Sequence, residues 1–284
     1  MGRLALVTAR ELSHPDDDRP LLDSAFAAVG ITPDWVVWDD LSVAWARYDR
    51  VVVRSPWDYT AKYERFLDWV DLVGRESVLV NPAPVVRWNS HKAYLGELAE
   101  RGVPVVPTVV VAAGTELDLA ALLAGRGWPS AVVKPAVSVG AIGARRVEGD
   151  STPPLVADVD LLVQPFVPAI AAGETSVVFA GGEPTHAVRK VPAAGDYRVQ
   201  VQHGGHEVAT VATPAQIALG RRALAAMATG FAAEDEAVRY ARVDCVDTDA
   251  GPLLMELELI EPSLFLHLAP PAAAARFVDA VLAR

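Results

Sequence analysis

The chain has 284 residues, 52% of them hydrophobic and 21% charged, which is enough for a large core and more than one domain. Its net charge of −11 argues against a nucleic-acid partner, whose footprint is basic, and no run approaches the ~20 apolar residues of a membrane helix. Cys245 is the only cysteine, so an internal disulfide is excluded, and the start lacks the basic and long apolar regions of a signal peptide; a reducing cytoplasm is the expected compartment.

The first 85 residues alternate strand and helix signals. Met1–Val7 is strand-like, with its apolar run at Leu4–Thr8. Leu21–Val29 has helical spacing and stops at Gly30. Trp35–Trp38 and Arg50–Val53 read as strands, Lys62–Val73 as an amphipathic helix burying Phe66, Leu67, Val70 and Val73, and Val78–Val80 as a further strand. Such alternation predicts a parallel sheet flanked by helices. Ser90–Arg101 follows as a helix that Ser90 would cap. Strands are expected at Val105–Val111, Ala131–Lys134 and Leu161–Gln164, with a helical piece near Leu117–Leu123.

From Glu174 the pattern turns to hairpins. Thr175–Phe179 and Pro184–Lys190 flank Gly181-Gly182, a hairpin turn signal. Tyr197–Gln202 alternates and is expected as a strand leading into Glu207–Val211. Pro214–Phe231 is the longest helix signal. A last hairpin runs Arg239–Val246 and Leu253–Glu258. The expected division is 1–87, 88–163 and 164–284: an α/β domain followed by two lobes.

Four features carry chemistry. Glu256 and Glu258 share a strand face, and a turn centred near Ala250 puts Asp244 across from Glu256 and Arg242 across from Glu258. Three crowded carboxylates repel unless a positive species joins them, and Mg²⁺ with ATP phosphates suits the set; the alternative is a solvated sheet face with Arg242 as partner. Second, Lys134 ends a strand and precedes a loop containing Ser138, Gly140 and Gly143, whose backbone N–H groups can approach an anion. It has neither the Gly-Lys-Ser/Thr ending of a Walker A loop nor the Gly-x-Gly-x-x-Gly of a dinucleotide site. Third, Lys92 lies near a helix start, where the helix dipole disfavours a cation. Fourth, Gln164-Pro-Phe166-Val167 is a strand-to-loop junction able to read an adenine edge, and Glu174 could accept from ribose hydroxyls; Phe166 and Val167 also fit a core.

In order and spacing these features resemble the ATP-grasp superfamily over about Trp88–Pro262. Lys92 and Lys134 are 42 apart, matching its paired nucleotide lysines; Ser138–Gly143 matches its phosphate loop and Gln164–Val167 its hinge. Glu174 matches its ribose acid. Glu256 lies 12 residues after Asp244, matching its metal signature, with Glu258 where the family has Asn. The resemblance implies an ATP-grasp fold with two ATP-clasping lobes, ATP and Mg²⁺ as cofactors, Arg189, Lys190, Arg198 and Arg242 around the phosphoryl and acyl groups, and a homodimer. It also implies the reaction: ATP phosphorylates an oxygen, usually of a carboxylate, and an amine displaces the phosphate.

The substrate is expected to be small and amino-acid-like, held by the first domain. Arg54-Ser55-Pro-Trp57-Asp58 follows a strand end, where open α/β sheets bind ligands; Arg54 would hold a carboxylate, while Ser55, Trp57 and Asp58 would shape the pocket. Thr8–Arg10 and Asp16–Asp18 are weaker candidates. Arg54–Tyr59 and Met255–Phe265 are similar to a small ATP-grasp group containing the cycloserine synthetase, which implies closure of O-ureido-D-serine to D-cycloserine through an activated ureido oxygen. The alternatives are a carboxylate–amine ligase making another amide or peptide, and a non-catalytic ATP-binding regulator.

Overall fold

The computed structural model describes residues 2–149, 154–231 and 237–283; Met1 of the expected first strand lies outside them. The first unit contains β1 (Leu4–Thr8), α1 (Arg19–Ala28), β2 (Asp34–Val37), β3 (Arg50–Ser55), α2 (Tyr63–Glu76) and β4 (Val78–Val80). Its sheet is parallel throughout, in the order β2-β1-β3-β4. The continuous apolar runs of β1 and β3 are buried because helices cover both faces of a parallel sheet. Helix α2 buries Phe66, Val70 and Val73 at helical spacing, and Trp69 with them.

The expected helix Ser90–Arg101 is present in shortened form as α4 (Tyr94–Glu100), and a short helix the sequence did not suggest, α3 (Ala83–Asn89), precedes it. The prolines at the start of α3 cost nothing there, since first-turn N–H groups have no intrahelical partner. The Ser90 hydroxyl donates to the Arg87 carbonyl and closes α3 instead of capping the next helix.

The central unit holds β5 (Val109–Val111), β6 (Glu116–Leu117), α5 (Leu119–Arg126), β7 (Ser130–Pro135), β8 (Arg145–Glu148), β9 (Leu155–Val156) and β10 (Leu161–Pro165). The order β5-β10-β7-β8 is antiparallel, with β6 and β9 as a separate ribbon. The expected strand Val105–Val111 is shorter because Pro107 has no N–H to give a ladder; Val105 and Val106 pair instead with Leu254. Strand β10 crosses the expected boundary at 163/164 and lies in the central sheet.

The third unit contains β11 (Glu174–Ala180), β12 (Glu183–Val191), β13 (His206–Thr210), α6 (Pro214–Ala228), β14 (Tyr240–Thr248), β15 (Gly251–Glu258) and α7 (Ala272–Leu282). Its antiparallel sheet runs β13-β12-β11-β14-β15. Gly181 (φ +60°) and Gly182 (φ +81°) supply the left-handed pair that a two-residue hairpin requires. Tyr197–Gln202 is not a strand: the Asp196 carboxylate accepts from the backbone N–H groups of Tyr197 and Arg198 at 2.7 and 2.9 Å, which starts a turn. Helix α7 folds back, so Phe277, Val278 and Val281 share a core with Leu4, Leu6 and Phe26.

Strand β15 lies at a sheet edge, and side chains of α3 and α4 satisfy backbone groups along and just beyond it. Asn89 donates to the Leu257 carbonyl (2.7 Å) and accepts from the Leu259 N–H (2.8 Å), while Tyr94 accepts from the Leu257 N–H (3.0 Å). Asn89→Ala orphans two buried backbone groups and is expected to lower unfolding free energy by about 2–4 kcal/mol. Urea titration checks this; a loss below the range of an exposed Asn→Ala control would contradict the strapping role.

Candidate active site

One face of the third sheet is polar because its strands alternate. Pairing brings Glu174 to Lys190, Ser176 to Asp244, Asp244 to Glu256 and Arg242 to Glu258. The hairpin loop is Asp249-Ala250, since Thr248 pairs with Gly251; a bulge between Asp244 and Cys245 then shifts the register so that Glu256 faces Asp244. Carboxylate atoms of Asp244, Glu256 and Glu258 lie within 4.8 Å of one another.

Cations answer these acids. Arg242 donates Nε and Nη2 to Asp244, both at 2.9 Å, and also pairs closely with Glu258. Lys190 reaches Asp244 at 2.9 Å and contacts Glu174 closely. From across the cleft, Lys134 on β7 comes to 3.1 Å from Glu256 Oε1, and Lys92, between α3 and α4, to 3.9 Å. Lys92 Nζ also donates to the Ser138 carbonyl at 2.5 Å, tying the expected phosphate loop to the site. Two lysines 42 residues apart thus meet on one carboxylate.

The electrostatics follow from burial and these pairs. Burial alone would raise the Asp244 pKa, but Arg242 and Lys190 outweigh it and hold the carboxyl well below the usual range. Burial likewise opposes ionisation of Glu256, yet Lys92 and Lys134 bring it down to about 2. Glu258 is pushed up to about 7: burial and the nearby acids prevail over Arg242. Burial works to lower the Lys190 pKa, but Asp244 and Glu174 raise it.

These groups line a cavity of about 690 Å³ between the units. Gln164, Phe166 and Val167 line it too; Gln164 donates to Thr108 (2.9 Å), and the Arg146 guanidinium lies 3.9 Å from the Phe166 ring centre. Gly140 lines the cavity with φ +60°, whereas Gly143 does not: at φ +78° it packs on Pro135 and shapes the loop from behind. Arg198 lines the opposite wall, held by Asp196 at 2.8 Å. Trp57 lines the cavity beside the first unit, where His14 stacks on it at 4.3 Å and its indole N–H donates to the Glu261 carbonyl.

Besides Gly143, four expected site residues are not on this cavity. Arg189 neighbours Lys190 on β12, so strand alternation points it to the other face, 3.9 Å from Asp247. Arg54 is fully buried and bonded to Asp18 and the Pro262 carbonyl. Ser55 is buried against Thr8, and Asp58 accepts from Trp38 and Lys62. Arg54 and Ser55 close β3 instead of following it, only Asp58 comes after the strand end, and the chain beyond β15 covers Arg54 through the Pro262 carbonyl. Sequence reasoning passed over Tyr94, Asn89 and Glu261; only the β15 edge, invisible before pairing, marks the first two.

Three units clasping a cleft, with paired lysines, a hinge strand and an acid cluster, define an ATP-dependent ligase of the ATP-grasp class. The family model described as the N-terminal domain of D-cycloserine synthetase DcsG matches residues 4–81, and that described as the prokaryotic glutathione synthetase ATP-grasp domain matches 154–230. The chain is 36% identical over 302 aligned positions to "Cycloserine biosynthesis protein DcsG" of Streptomyces lavendulae, covering 100% of this chain and 99% of the relative. A crystal structure of D-cycloserine synthetase DcsG superposes with a TM-score of 0.86 at 32% identity, covering 99% of this chain and 98% of that one. An ATP-grasp RimK domain protein from Sphaerobacter thermophilus shares the fold, with a TM-score of 0.71 at 20% identity and coverage of 99% and 100%. The chain belongs to the D-cycloserine synthetase DcsG family of ATP-grasp ligases.

Proposed function

We propose that this ligase activates the carboxylate of O-ureido-D-serine with ATP and closes it to D-cycloserine. The observation that carries the nucleotide side is the meeting of Lys92 and Lys134 on Glu256 beside Asp244 and Glu258. Full-length likeness to a cycloserine biosynthesis protein supports the substrate.

Lys92 and Lys134 hold the ATP phosphates once these displace their contact with Glu256. Ser138 and Gly140 cover the phosphates, the Gln164–Val167 junction holds adenine, and Glu174 the ribose. Arg242, Lys190 and Arg198 neutralise charge on the transferring phosphoryl group, and Trp57 walls the acceptor end.

The donor set fits magnesium, a hard cation that takes carboxylate oxygens. The contacts to Glu256 and Glu258 go to Oε1 of each. Asp244 differs: Oδ1 accepts from Ser176 and Arg242, and Oδ2 from Lys190 and Arg242, filling its four acceptor positions. Glu256 and Glu258 are therefore the principal ligands, and Asp244 joins only by releasing one donor. When bound, the ion neutralises phosphate charge during transfer.

Atom balance favours the carboxylate over the ureido oxygen. The new ring bond joins the N–O nitrogen to the serine carboxyl carbon, so that carbon must carry the leaving group. The γ-phosphoryl group forms an acyl phosphate; the nitrogen attacks; the C–O bond breaks and phosphate leaves with one carboxylate oxygen. Water then takes the carbamoyl group off the same nitrogen as ammonia and carbon dioxide. With substrate labelled with ¹⁸O in its carboxylate, and no added amine, labelled phosphate and D-cycloserine are expected. D-cycloserine formed with unlabelled phosphate would overturn the carboxylate assignment, and turnover only with an added amine would favour the general carboxylate–amine ligase.

A further inference from the structure

The segment Pro262–Leu266 runs from the acid-bearing strand β15 along the cavity, and groups from three places hold its backbone. Arg54 donates to the Pro262 carbonyl (3.1 Å) and Arg242 to the Ser263 carbonyl (3.2 Å). His186 Nε2 donates to the Leu264 carbonyl (2.6 Å). The Asp18 carboxylate accepts the N–H of Leu264 through Oδ2 (2.5 Å) and that of Leu266 through Oδ1 (2.9 Å). Between those two amides Phe265 has φ +53°, a left-handed conformation that a residue with a Cβ keeps only where its surroundings impose it.

Asp18 imposes it from the first domain, 246 residues away in sequence from Leu264. Two carboxylate oxygens bridging the amides of residues i and i+2 fix the turn between them, much as an acidic side chain caps a helix start. Arg54 stands behind Asp18 at 3.3 Å, both are buried, and the Arg54 guanidinium faces the Phe277 ring. Asp18, Ser263 and Phe265 line the cavity, and the Phe265 ring lies 5.2 Å from the Arg242 guanidinium carbon.

We infer that Asp18, backed by Arg54, is a positioning residue for the reaction: it locks the Pro262–Leu266 strap, which holds Arg242 through the Ser263 carbonyl and sets Phe265 against it. Arg242 in turn braces Asp244 and Glu258. The first domain thereby does more than receive substrate; it sets the geometry of the guanidinium that faces the phosphoryl group. This rests on the ligase reading above for the role of Arg242.

The test is steady-state kinetics on purified Asp18→Asn and on the double variant Asp18→Asn/Arg54→Gln. Phosphate release is followed with O-ureido-D-serine and without any acceptor, so a parent that rejects that substrate but hydrolyses ATP still reports on the strap. The asparagine has one acceptor where two amides need two, while the double variant also removes the Arg54 charge left uncompensated. Expected is a kcat lower by about 10- to 100-fold in both variants, with KM for ATP held, since misplacement by about 1 Å costs this order. The losses of Asp18→Asn and Arg242→Lys should combine to less than their product, because they act through one strap. Parental kcat in the charge-balanced double variant, or losses that multiply fully, would show that Asp18 only stabilises the domain contact and would overturn the inference. Where the single variant does not fold, the double variant alone decides.

Discussion

Glu256→Gln is expected to reduce turnover about a thousandfold, or ~4 kcal/mol of transition-state stabilisation, while shifting the thermal midpoint by only a few degrees. Glu256 is the meeting point of Lys92 and Lys134 and sits opposite Asp244. Glutamine keeps its shape and loses its charge, so a divalent cation lacks one of its two principal ligands. Removing one partner of a buried pair is normally costly, but a quarter of the Glu256 side chain is exposed to the cavity, and water or anions can serve the two lysines. The effect on rate should therefore exceed the effect on folding. Phosphate release and circular-dichroism melting measure the two together. Lys134→Ala should behave alike, since it removes a phosphate contact without opening a core. Near-parental rates in either variant would argue strongly against the proposed phosphate site.

The opposite balance is expected one strand away. Asp244→Ala should lower unfolding free energy by about 3–5 kcal/mol, because it strips the shared partner from two buried cations. Arg242 and Lys190 both bond Asp244, whose side chain is only 3% exposed, and Ser176 donates to it as well. The cost here is uncompensated charge more than lost contact. The same carboxylate gives the fold an acid limit. Its native pKa is depressed, so its stabilisation is fully present above its ordinary value of 3.8 and is lost as pH falls through the lower native value. Glu256, brought from 4.5 to about 2, acts in the same direction over that window. Urea titrations at pH 6 and at about pH 2, inside the window between the ordinary and native values, test both statements, with parent and variant stabilities converging toward acid. A variant as stable as the parent at pH 6 would mean that Arg242 and Lys190 find other partners.

The difference between these neighbours has a structural cause. Glu256 projects from an edge strand into the cavity, while Asp244 lies on the inner strand β14, between Arg242 and Lys190. Edge position gives access to ligand; inner position gives satisfied hydrogen bonds and rigidity. In the proposed site, Asp244 would thus build the floor while Glu256 and Glu258 hold the ion.

Local pattern made much of the fold legible from the chain. Apolar runs at β1 and β3, helical spacing in α2, the Gly181-Gly182 turn and the Pro-led start of α6 each depend on interactions within a few residues, which side-chain spacing encodes directly. Asp244, Arg242, Glu256 and Glu258 could be paired from sequence because a hairpin is local; even so, the turn centres half a residue from Ala250, and the bulge beside Cys245 restores the expected pairing. Tyr197–Gln202 misled because alternation is also found in a loop, and the Asp196 carboxylate had already captured its first amides.

The fate of Arg54 belongs to another level. Its strand-end position is legible, but whether a strand end opens to ligand or is covered depends on a segment more than 200 residues later, and Pro262–Leu266 covers it. The same holds for Asn89 and Tyr94, whose partners exist only once β15 becomes a sheet edge, and for Arg189, whose face is fixed by its neighbour Lys190 joining the buried acids. Residue types and spacing determined that this protein carries two lysines, a hinge and three acids in the order of a nucleotide-clasping ligase, because those features lie on local elements. Tertiary structure alone decided which of the basic residues reach the cleft and which serve the frame, because a side chain's surroundings come from chain segments that sequence distance does not bring together.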